Sequence, residues 1–281
     1  MFGTINHITL TLPTPSENLA CDEALLDTNE AGGEKSGVLR FWESPEHFVV
    51  VGYGNKVAAE VNEAARKKMN IPILRRCSGG GTVVQGPGCL NYSLVLPFDE
   101  TGPLKSITAA NRFIMERNRA ALESLLNKVG RVTPCAPGDA QLPASGGQGT
   151  ARSTNEMEIA VLGHTDLALI THHSSHITSL KFSGNAQRRR KSFLLFHGTF
   201  LLDFDLALVE KLLLMPTKEP DYRGHRAHSE FVTNLDVPAD AVKQAMQSAW
   251  GAKAVLKEIP CAQISKLVLE KYSTKEWNLR F

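Results

Sequence analysis

Two adjacent arginines stand directly before a stretch that is rich in glycine. The stretch reads RRCSGGGTVVQGPGCLNYSLVLP, from Arg75 to Pro97, and it holds five glycines. Glycines after a strand let backbone N–H groups approach an anion closely, and arginine side chains can hold that anion in place. A tight hairpin with a β-bulge would use the same residue types. The stretch alone leaves both interpretations open.

Two known nucleotide-binding patterns do not fit this stretch. The spacing from Gly81 to Gly86 matches the start of GxxxxGK[ST], but Pro87 stands at the position of the lysine. The GxGxxG pattern fails as well, because Val84 occupies its third glycine position. An anion site here would therefore belong to neither the Walker A nor the Rossmann class.

The composition of the chain excludes several classes of partner. Its 281 residues carry 31 basic and 29 acidic side chains, a balance that gives no reason to expect nucleic acid. The five cysteines are scattered without CxxC spacing, so neither a disulfide framework nor a thiolate zinc site is indicated. The sequence shows no signal-peptide pattern and no apolar run of membrane-spanning length. We expect a cytoplasmic protein that contacts neither nucleic acid nor membrane.

Helices and strands follow one another without regular strand–helix–strand winding. Thr14 to Glu17 form a capping box with proline at the first helical position, and this helix ends at Gly32. A second long helix begins after Ser106 and ends at Gly130. Further helices are predicted at 58–69, 205–214, 238–250 and 264–272, and strands at 37–42, 48–52, 71–74, 90–96, 158–162, 166–171, 179–183 and 193–203. With a mobile loop at 134–156, this order predicts an α+β fold with a mixed or largely antiparallel sheet.

Ordered motifs along most of the chain resemble those of the lipoate–protein ligase and octanoyltransferase family, which is part of the group that includes biotin–protein ligases. Besides the glycine stretch, the motifs are ENLACDEALL from Glu17, LRFWESPEHFVVVGYGNKVAAEVN from Leu39, GHTDLAL from Gly163, KFSGNAQRRRKSFLLFHGTFLLDFDL from Lys181, FVTNL from Phe231 and STKEWN from Ser273. The resemblance implies a class II aminoacyl-tRNA synthetase/biotin ligase-like fold, with a central mixed sheet flanked by helices and an apolar tunnel for the acyl group. We expect one catalytic domain over residues 1–281, without a separate C-terminal accessory domain.

The resemblance implies two candidate reactions on this fold. In the reaction that we favour, ATP and Mg²⁺ serve to convert lipoate or octanoate to an acyl-adenylate. The acyl group then passes to a lysine of a lipoyl domain, in an E2 subunit of a 2-oxoacid dehydrogenase or in the glycine cleavage H protein. In the alternative, a cysteine takes the acyl group from a carrier thioester without ATP, and Cys135 is the candidate because no cysteine occurs between Phe182 and Pro260. A single-domain ligase can also need a separate accessory chain.

The family motifs assign Lys181 as the catalytic residue of this sequence. By the resemblance, the lysine of a lysine-x-serine-glycine motif meets the acyl carbonyl and the phosphate. A strand lysine on its own is usually solvated, so only the motif favours the catalytic role. The other predicted site residues would bind substrate or adenylate, and they are Arg75, Arg76, Ser78, Gly79, Gly80, Gly81, Thr82, Asn91, Tyr92, Asp166, Ser183, Gly184, Ala186, His197, Gly198 and Thr199. We assign no metal ligand among them.

Three positions depart from the family's pattern. His164 and Thr165 stand where many ligases have arginine and asparagine, which leaves adenylate contacts at these positions open. Gln85 stands near the position of a histidine in many ligases, and no general base is assigned there because glutamine does not titrate. His197 matches the family's HGT segment, although a core histidine bonded to backbone explains it equally well.

Three further groups of residues have an ordinary structural explanation. The histidines at 172, 173 and 176 fall at an expected turn, and metal sites need ligands that converge from separate elements. The run from Arg188 to Lys191 is interpreted as a solvated turn, with a contact to an acidic acceptor domain as the lesser alternative. Cys77 and Cys89 flank the glycines and fit equally well as small apolar side chains that fill the core.

Overall fold

The computed structural model describes residues 3–32, 36–129, 158–173, 176–216 and 218–281. The predicted loop at 134–156, Gly130 and Cys135 lie outside these residues, and the structure describes no side chain from 172 to 176. Within the described residues, no helix combines the length and the apolar character that crossing a membrane requires. The cytoplasmic location stays a prediction.

A mixed sheet forms the centre of the fold, as the sequence predicted, and it has eight strands among the described residues. The strands are β1 Ile5–Thr9, β2 Gly37–Trp42, β6 Cys89–Pro97, β7 Glu158–Leu162, β8 Asp166–His173, β9 His176–Arg189, β10 Phe193–Leu201 and β11 Ala254–Val255. They stand in the spatial order β11-β1-β2-β6-β10-β9-β8-β7. In this sheet β1 is parallel to both β2 and β11, and the other neighbours are antiparallel. Strands β1 and β11 escaped the sequence prediction.

A second, three-stranded sheet carries the glycine stretch. Its strands are β3 Phe48–Val51, β4 Ile73–Arg75 and β5 Val83–Gln85, in the order β4-β3-β5. Strand β5 was not predicted, because it is only three residues long and lies inside a segment dominated by glycine. Val84 is buried and pairs with Val49 of β3. The residue that breaks the dinucleotide-binding pattern is therefore a core residue of this small sheet.

The helices largely follow the predicted pattern. Thr14 and Glu17 form the predicted capping box of α1. The helix predicted at 58–69 is two short helices, because the Asn62 side chain caps the second one by accepting a hydrogen bond from Ala65 N at 3.1 Å. The helix predicted at 264–272 is α8 followed by a turn of π-helix, Val268–Tyr272. The α-helices are α1 Pro15–Ala31, α2 Val57–Glu60, α3 Glu63–Lys68, α4 Ile107–Val129, α5 Ala207–Leu212, α6 His228–Phe231, α7 Ala239–Trp250, α8 Cys261–Leu267 and α9 Lys275–Asn278.

The two faces of the large sheet bury different partners. Alternate strand residues such as Leu94 and Phe196 join the core formed with α4 and α7, and their neighbours Val95 and Leu195 join the core formed with α1 and the small sheet. This division follows from the two-residue period of a strand, which sends successive side chains to opposite faces. The face toward the small sheet also carries the site.

Candidate active site

A cavity of about 330 Å³ lies between the large sheet and the small sheet. A row of paired residues crosses the floor of the cavity, one residue from each of five neighbouring strands. In order across the sheet, these residues are Trp42, Asn91, Thr199, Gly184 and Asp166. Since neighbouring strands lie about 4.8 Å apart, these five strands span roughly 19 Å from Trp42 to Asp166. The cavity therefore has an indole at one end and a carboxylate at the other.

Lys181 stands at the carboxylate end of this row. Its Nζ lies 2.8 Å from Asp166 Oδ2, and the same oxygen accepts a hydrogen bond of 2.8 Å from the hydroxyl of Tyr222. A Cβ atom at Gly184 would lie 3.0 Å from Lys181 Nζ, so the glycine keeps the floor beside the ammonium group clear. This arrangement presents a positive charge to the cavity and holds it at a defined place.

A β-bulge aims Lys181 into the cavity. Leu167 pairs with Ser183 but the next residue of β8, Ala168, pairs with Lys181, which leaves Phe182 as an extra residue. Residues three apart in a regular strand face opposite sides, and the extra residue reverses this relation. Lys181 and Gly184 therefore both line the cavity, while Phe182 is buried in the core on the other face.

Side chains hold the glycine loop, residues 76–82, by its backbone carbonyls. The guanidinium of Arg76 donates to Gly79 O at 2.6 Å and to Gly81 O at 2.8 Å, and burial lowers the pKa of Arg76 to about 10, so it stays charged at neutral pH. Asn55 Nδ2 donates to Gly80 O at 3.1 Å. Gly79 and Gly81 have open space where a side chain would stand. The loop is thus fixed from behind and open toward a ligand.

We expect Gly52→Ala to displace this loop, because the added methyl group would overlap the carbonyl of Gly80. A backbone atom cannot rotate away, so the substitution should lower the free energy of unfolding by about 1–3 kcal/mol. Urea denaturation measures this change. Gly54→Ala is the matched control, since nothing lies within 4 Å of the added methyl group there. Equal stability changes in the two variants would contradict the expected overlap.

A buried chain of polar groups runs from the loop to the first helix. Ser78 Oγ lies 2.5 Å from His197 Nε2, and His197 Nδ1 lies 3.4 Å from Asp22 Oδ2. Asp22 also forms an ion pair of 2.5 Å with Arg40, whose side chain is fully buried. Burial alone would raise the pKa of the Asp22 carboxyl, but the Arg40 charge and the His197 hydrogen bond outweigh it and lower that pKa. The His197 ring lines the cavity, with its orientation set by partners on both sides.

Arg75 does not reach the cavity, although the sequence placed it in the site. Successive strand residues face opposite sides, so Arg75 points away from Arg76. Its guanidinium donates to the carbonyls of Gly52 at 2.7 Å, Asn55 at 2.8 Å and Arg280 at 2.6 Å. Arg75 therefore ties the C-terminal segment to the small sheet.

The structure brings most of the predicted site residues together. Fourteen of them line the cavity: Arg76, Gly80, Gly81, Thr82, Asn91, Tyr92, Asp166, Lys181, Ser183, Gly184, Ala186, His197, Gly198 and Thr199. Ser78 and Gly79 do not line it but contact Arg76, and Ser78 also contacts His197. Their roles in binding stay predictions.

Several residues of the cavity had no predicted role. They include Asp22 and Trp42 of the early motifs, Glu60, Asn185 and Tyr222. Asp22, Trp42, Glu60 and Asn185 lie within quoted motifs, so the motifs pointed to them without assigning a task. Nothing in the sequence singled out Tyr222, because its contact with Asp166 joins residues far apart in the chain.

The run from Arg188 to Lys191 is only in part the solvated turn that we expected: Lys191 is exposed at a bend, whereas the arginines before it have partners. Strand β9 continues to Arg189, whose guanidinium lies 3.8 Å from the centre of the Phe98 ring. Arg190 forms an ion pair of 2.7 Å with Asp27 of α1. These arginines connect the end of the strand hairpin to its neighbours.

The cysteines and histidines add no metal centre to the described part of the chain. Among the residues that the structure describes, no cluster of three or more His, Cys, Asp or Glu side chains is placed to hold a metal ion. Cys77 and Cys89 are buried, and burial raises the pKa of each thiol to about 12. Both thiols are therefore neutral at physiological pH, as expected of small core side chains.

A clamped glycine loop and a lysine that line one cleft, together with apolar side chains such as Trp42, Val50 and Leu213, suit an enzyme that binds an acyl group and transfers it. The chain belongs to the family of the lipoyl protein ligase A/B catalytic domain, whose model matches residues 14–259. Members of this family are lipoate–protein ligases and octanoyltransferases, and the chain is an enzyme of this kind.

Relatives with both names resemble the chain over almost its whole length. The octanoyltransferase LipM of Geobacillus kaustophilus is 26% identical over 280 residues, which cover 95% of this chain and 94% of the relative. Lipoate-protein ligase A subunit 1 of Thermoplasma acidophilum is 28% identical over 284 residues, which cover 96% of this chain and 95% of the relative.

Solved structures confirm the predicted fold. The bi-partite lipoate protein ligase of T. acidophilum, described together with its E2 lipoyl domain, has a TM-score of 0.71 at 24% identity and covers 99% of this chain and 96% of its own. A lipoate-protein ligase A bound with ATP has a TM-score of 0.67 at 25% identity and covers 99% of both chains. The mixed sheet flanked by helices is thus the lipoate ligase fold.

Proposed function

We propose that this protein is an ATP-dependent ligase that activates lipoate or octanoate and attaches it to a lysine of a lipoyl domain. The observation that carries the proposal is the Lys181 ammonium group, held by Asp166 at the end of a cleft whose other end is the Trp42 indole. An acid bound with its chain toward the indole would place its carboxylate at the lysine. The ATP-bound structure of a relative supports ATP as the co-substrate.

The cavity residues fit an adenylate. Gly81 lines the cavity and leaves open space where a side chain would stand, and Lys181 supplies a positive charge to the same cavity. Mg²⁺ binds mainly through substrate phosphate oxygens and keeps several of its waters, so here it would enter with the phosphates of ATP. The ion would share the charge of the leaving pyrophosphate.

The reaction has two steps in which the protein positions reactants and stabilises charge. First, a carboxylate oxygen of the acid attacks the α-phosphorus of ATP, and the bond to pyrophosphate breaks. Lys181 attracts the negative charge on the phosphate and acyl oxygens during this step. Second, the amine of the acceptor lysine attacks the acyl carbon, the bond to AMP breaks and the amine loses a proton. Lys181 then stabilises the oxyanion and the departing phosphate.

The relatives support the proposed acceptor and also bear on the alternative reaction. The T. acidophilum ligase is described together with its E2 lipoyl domain, which supports a lipoyl domain as the acceptor here. That ligase is bi-partite, which supports a requirement for an accessory chain. The octanoyltransferase relatives favour the second candidate, transfer from a carrier thioester without ATP. Cys77 and Cys89 do not suit the nucleophile of that reaction, because their thiols are buried and neutral.

Donor dependence separates the two reactions. We expect the enzyme to octanoylate a lipoyl domain from octanoate only when ATP and Mg²⁺ are present. The Cys135→Ala variant should have the same activity as the wild type. Intact-mass spectrometry of the lipoyl domain measures the product. Each reaction is run with and without an added accessory chain. Transfer from octanoyl-carrier protein without ATP, abolished by Cys135→Ala, would replace the ligase with the transferase.

A further inference from the structure

The segment between α5 and α6 forms one wall of the cavity. Its residues Lys218, Pro220, Tyr222 and Arg223 line the cavity beside Lys181. We propose that Tyr222 is a positioning residue of the ligase: its hydroxyl holds Asp166, so that Lys181 can leave the carboxylate and meet the anionic ligand. This inference rests on the proposed function.

The Tyr222 ring is fixed on two sides. Its centre lies 6.3 Å from the centre of the Phe231 ring of α6, and the two ring planes are inclined by 28°. On the other side it covers Gly163, where a Cβ atom would lie 2.7 Å from the ring. Gly163 has a φ of +57°, in the left-handed region that favours glycine. The hydroxyl is therefore carried to Asp166 by a ring that has little freedom to move.

Tyr222 and Lys181 share one oxygen of Asp166. Both donate to Oδ2, each at 2.8 Å, and Asp166 is buried. When Lys181 turns to a bound carboxylate or phosphate, the Asp166 carboxylate would lose its ion-pair partner in a place with little water. A buried carboxylate without a donor is strongly disfavoured. The Tyr222 hydroxyl keeps a donor on Asp166 and so lowers the cost of releasing the lysine.

The phenol is suited to this task throughout the working pH range. Burial raises the pKa of Tyr222, and the adjacent negative charge of Asp166 raises it further. The hydroxyl therefore remains protonated and donates. Tyr222 thereby couples the wall segment to the ammonium group that touches the reacting atoms.

Tyr222→Phe keeps the ring and removes only the donor. We expect the KM for octanoate to rise about tenfold, the size expected for one charge-assisted hydrogen bond, with kcat changed less than threefold. The KM for the lipoyl domain and the unfolding temperature should stay at the wild-type values. Tyr53→Phe removes a hydroxyl from a partly exposed tyrosine outside this network, and we expect it to leave all three parameters unchanged.

A double-mutant cycle distinguishes positioning from general structural support. If Tyr222 acts through Asp166, the double variant should have a KM for octanoate less than twofold above that of the Asp166→Asn single variant. A tenfold effect that persists in the Asp166→Asn background, or Tyr222→Phe with wild-type kinetics, would overturn the inference. The cycle is measured in whichever reaction the wild type performs, from octanoate with ATP or from octanoyl-carrier protein. A wild type that works only from the carrier overturns the proposed function instead.

Discussion

Lys181→Ala should lose about 10²- to 10³-fold in kcat for octanoylation of a lipoyl domain, because it removes the positive charge that faces the reacting oxygens. Arg76 is not free to replace that charge, because its guanidinium donates to the carbonyls of the glycine loop. The loss should appear in both half-reactions. ATP–pyrophosphate exchange measures adenylate formation, and transfer from preformed octanoyl-AMP measures the second step.

The fold should survive this substitution. In Lys181→Ala the Asp166 carboxylate keeps the hydrogen bond from Tyr222, so we expect a circular dichroism spectrum and an unfolding temperature close to those of the wild type. Lys191→Ala, on an exposed turn, is the control and should keep full activity. Activity of Lys181→Ala within threefold of the wild type in both half-reactions would show that the lysine is not catalytic.

Asp22→Ala should lower the free energy of unfolding by about 3–5 kcal/mol, the usual cost of removing one partner of a buried ion pair. Arg40 is fully buried, so removing Asp22 leaves a buried guanidinium without the carboxylate that pairs with it. Its remaining partners are uncharged, namely the carbonyls of Leu10 and Asn18 and the Asn18 side chain. Urea denaturation at pH 7 measures the change.

Asp27→Ala is the matched control on the same helix. Asp27 pairs with Arg190 at 2.7 Å, but its side chain is 27% exposed and the pair is accessible to water. Such pairs contribute about 0–1 kcal/mol. If Asp22→Ala does not yield soluble protein, Asp22→Asn serves in its place, since it keeps the shape and removes the charge. An effect of either Asp22 variant no larger than that of Asp27→Ala would show that the buried pair does not support the fold.

The Asp22 contribution should depend on pH in a definite direction. The pKa of Asp22 in the folded protein lies below its ordinary value of 3.8, whereas in the unfolded chain it is close to that value. The unfolded state therefore takes up the proton first as the pH falls. The stability from this group is fully present above about pH 5 and is lost progressively as the pH falls below about 4. The difference between wild type and Asp22→Asn should shrink over this range.

Local sequence signals determined the elements and the family. The capping box at Thr14 and the mainly apolar runs of β2 and β6 depend on neighbours in the chain, and the structure has these elements where they were predicted. The KFSGNA motif identified Lys181 because its residue types and order are specific even without coordinates. Strands β1 and β11 were missed because each is short or pairs only with distant segments.

The tertiary structure decided which of these residues face one another. The bulge at Phe182 turns Lys181 toward Gly184, a shift of one residue that depends on pairing with β8 and leaves no mark in the sequence. Strand alternation separates the neighbours Arg75 and Arg76, so that only the second reaches the cavity. The contact of Tyr222 with Asp166 and the Asp22–His197–Ser78 chain join residues far apart along the polypeptide. Residue types and their order define the chemistry that the chain can perform, whereas the direction of each side chain depends on long-range pairing that no local pattern encodes.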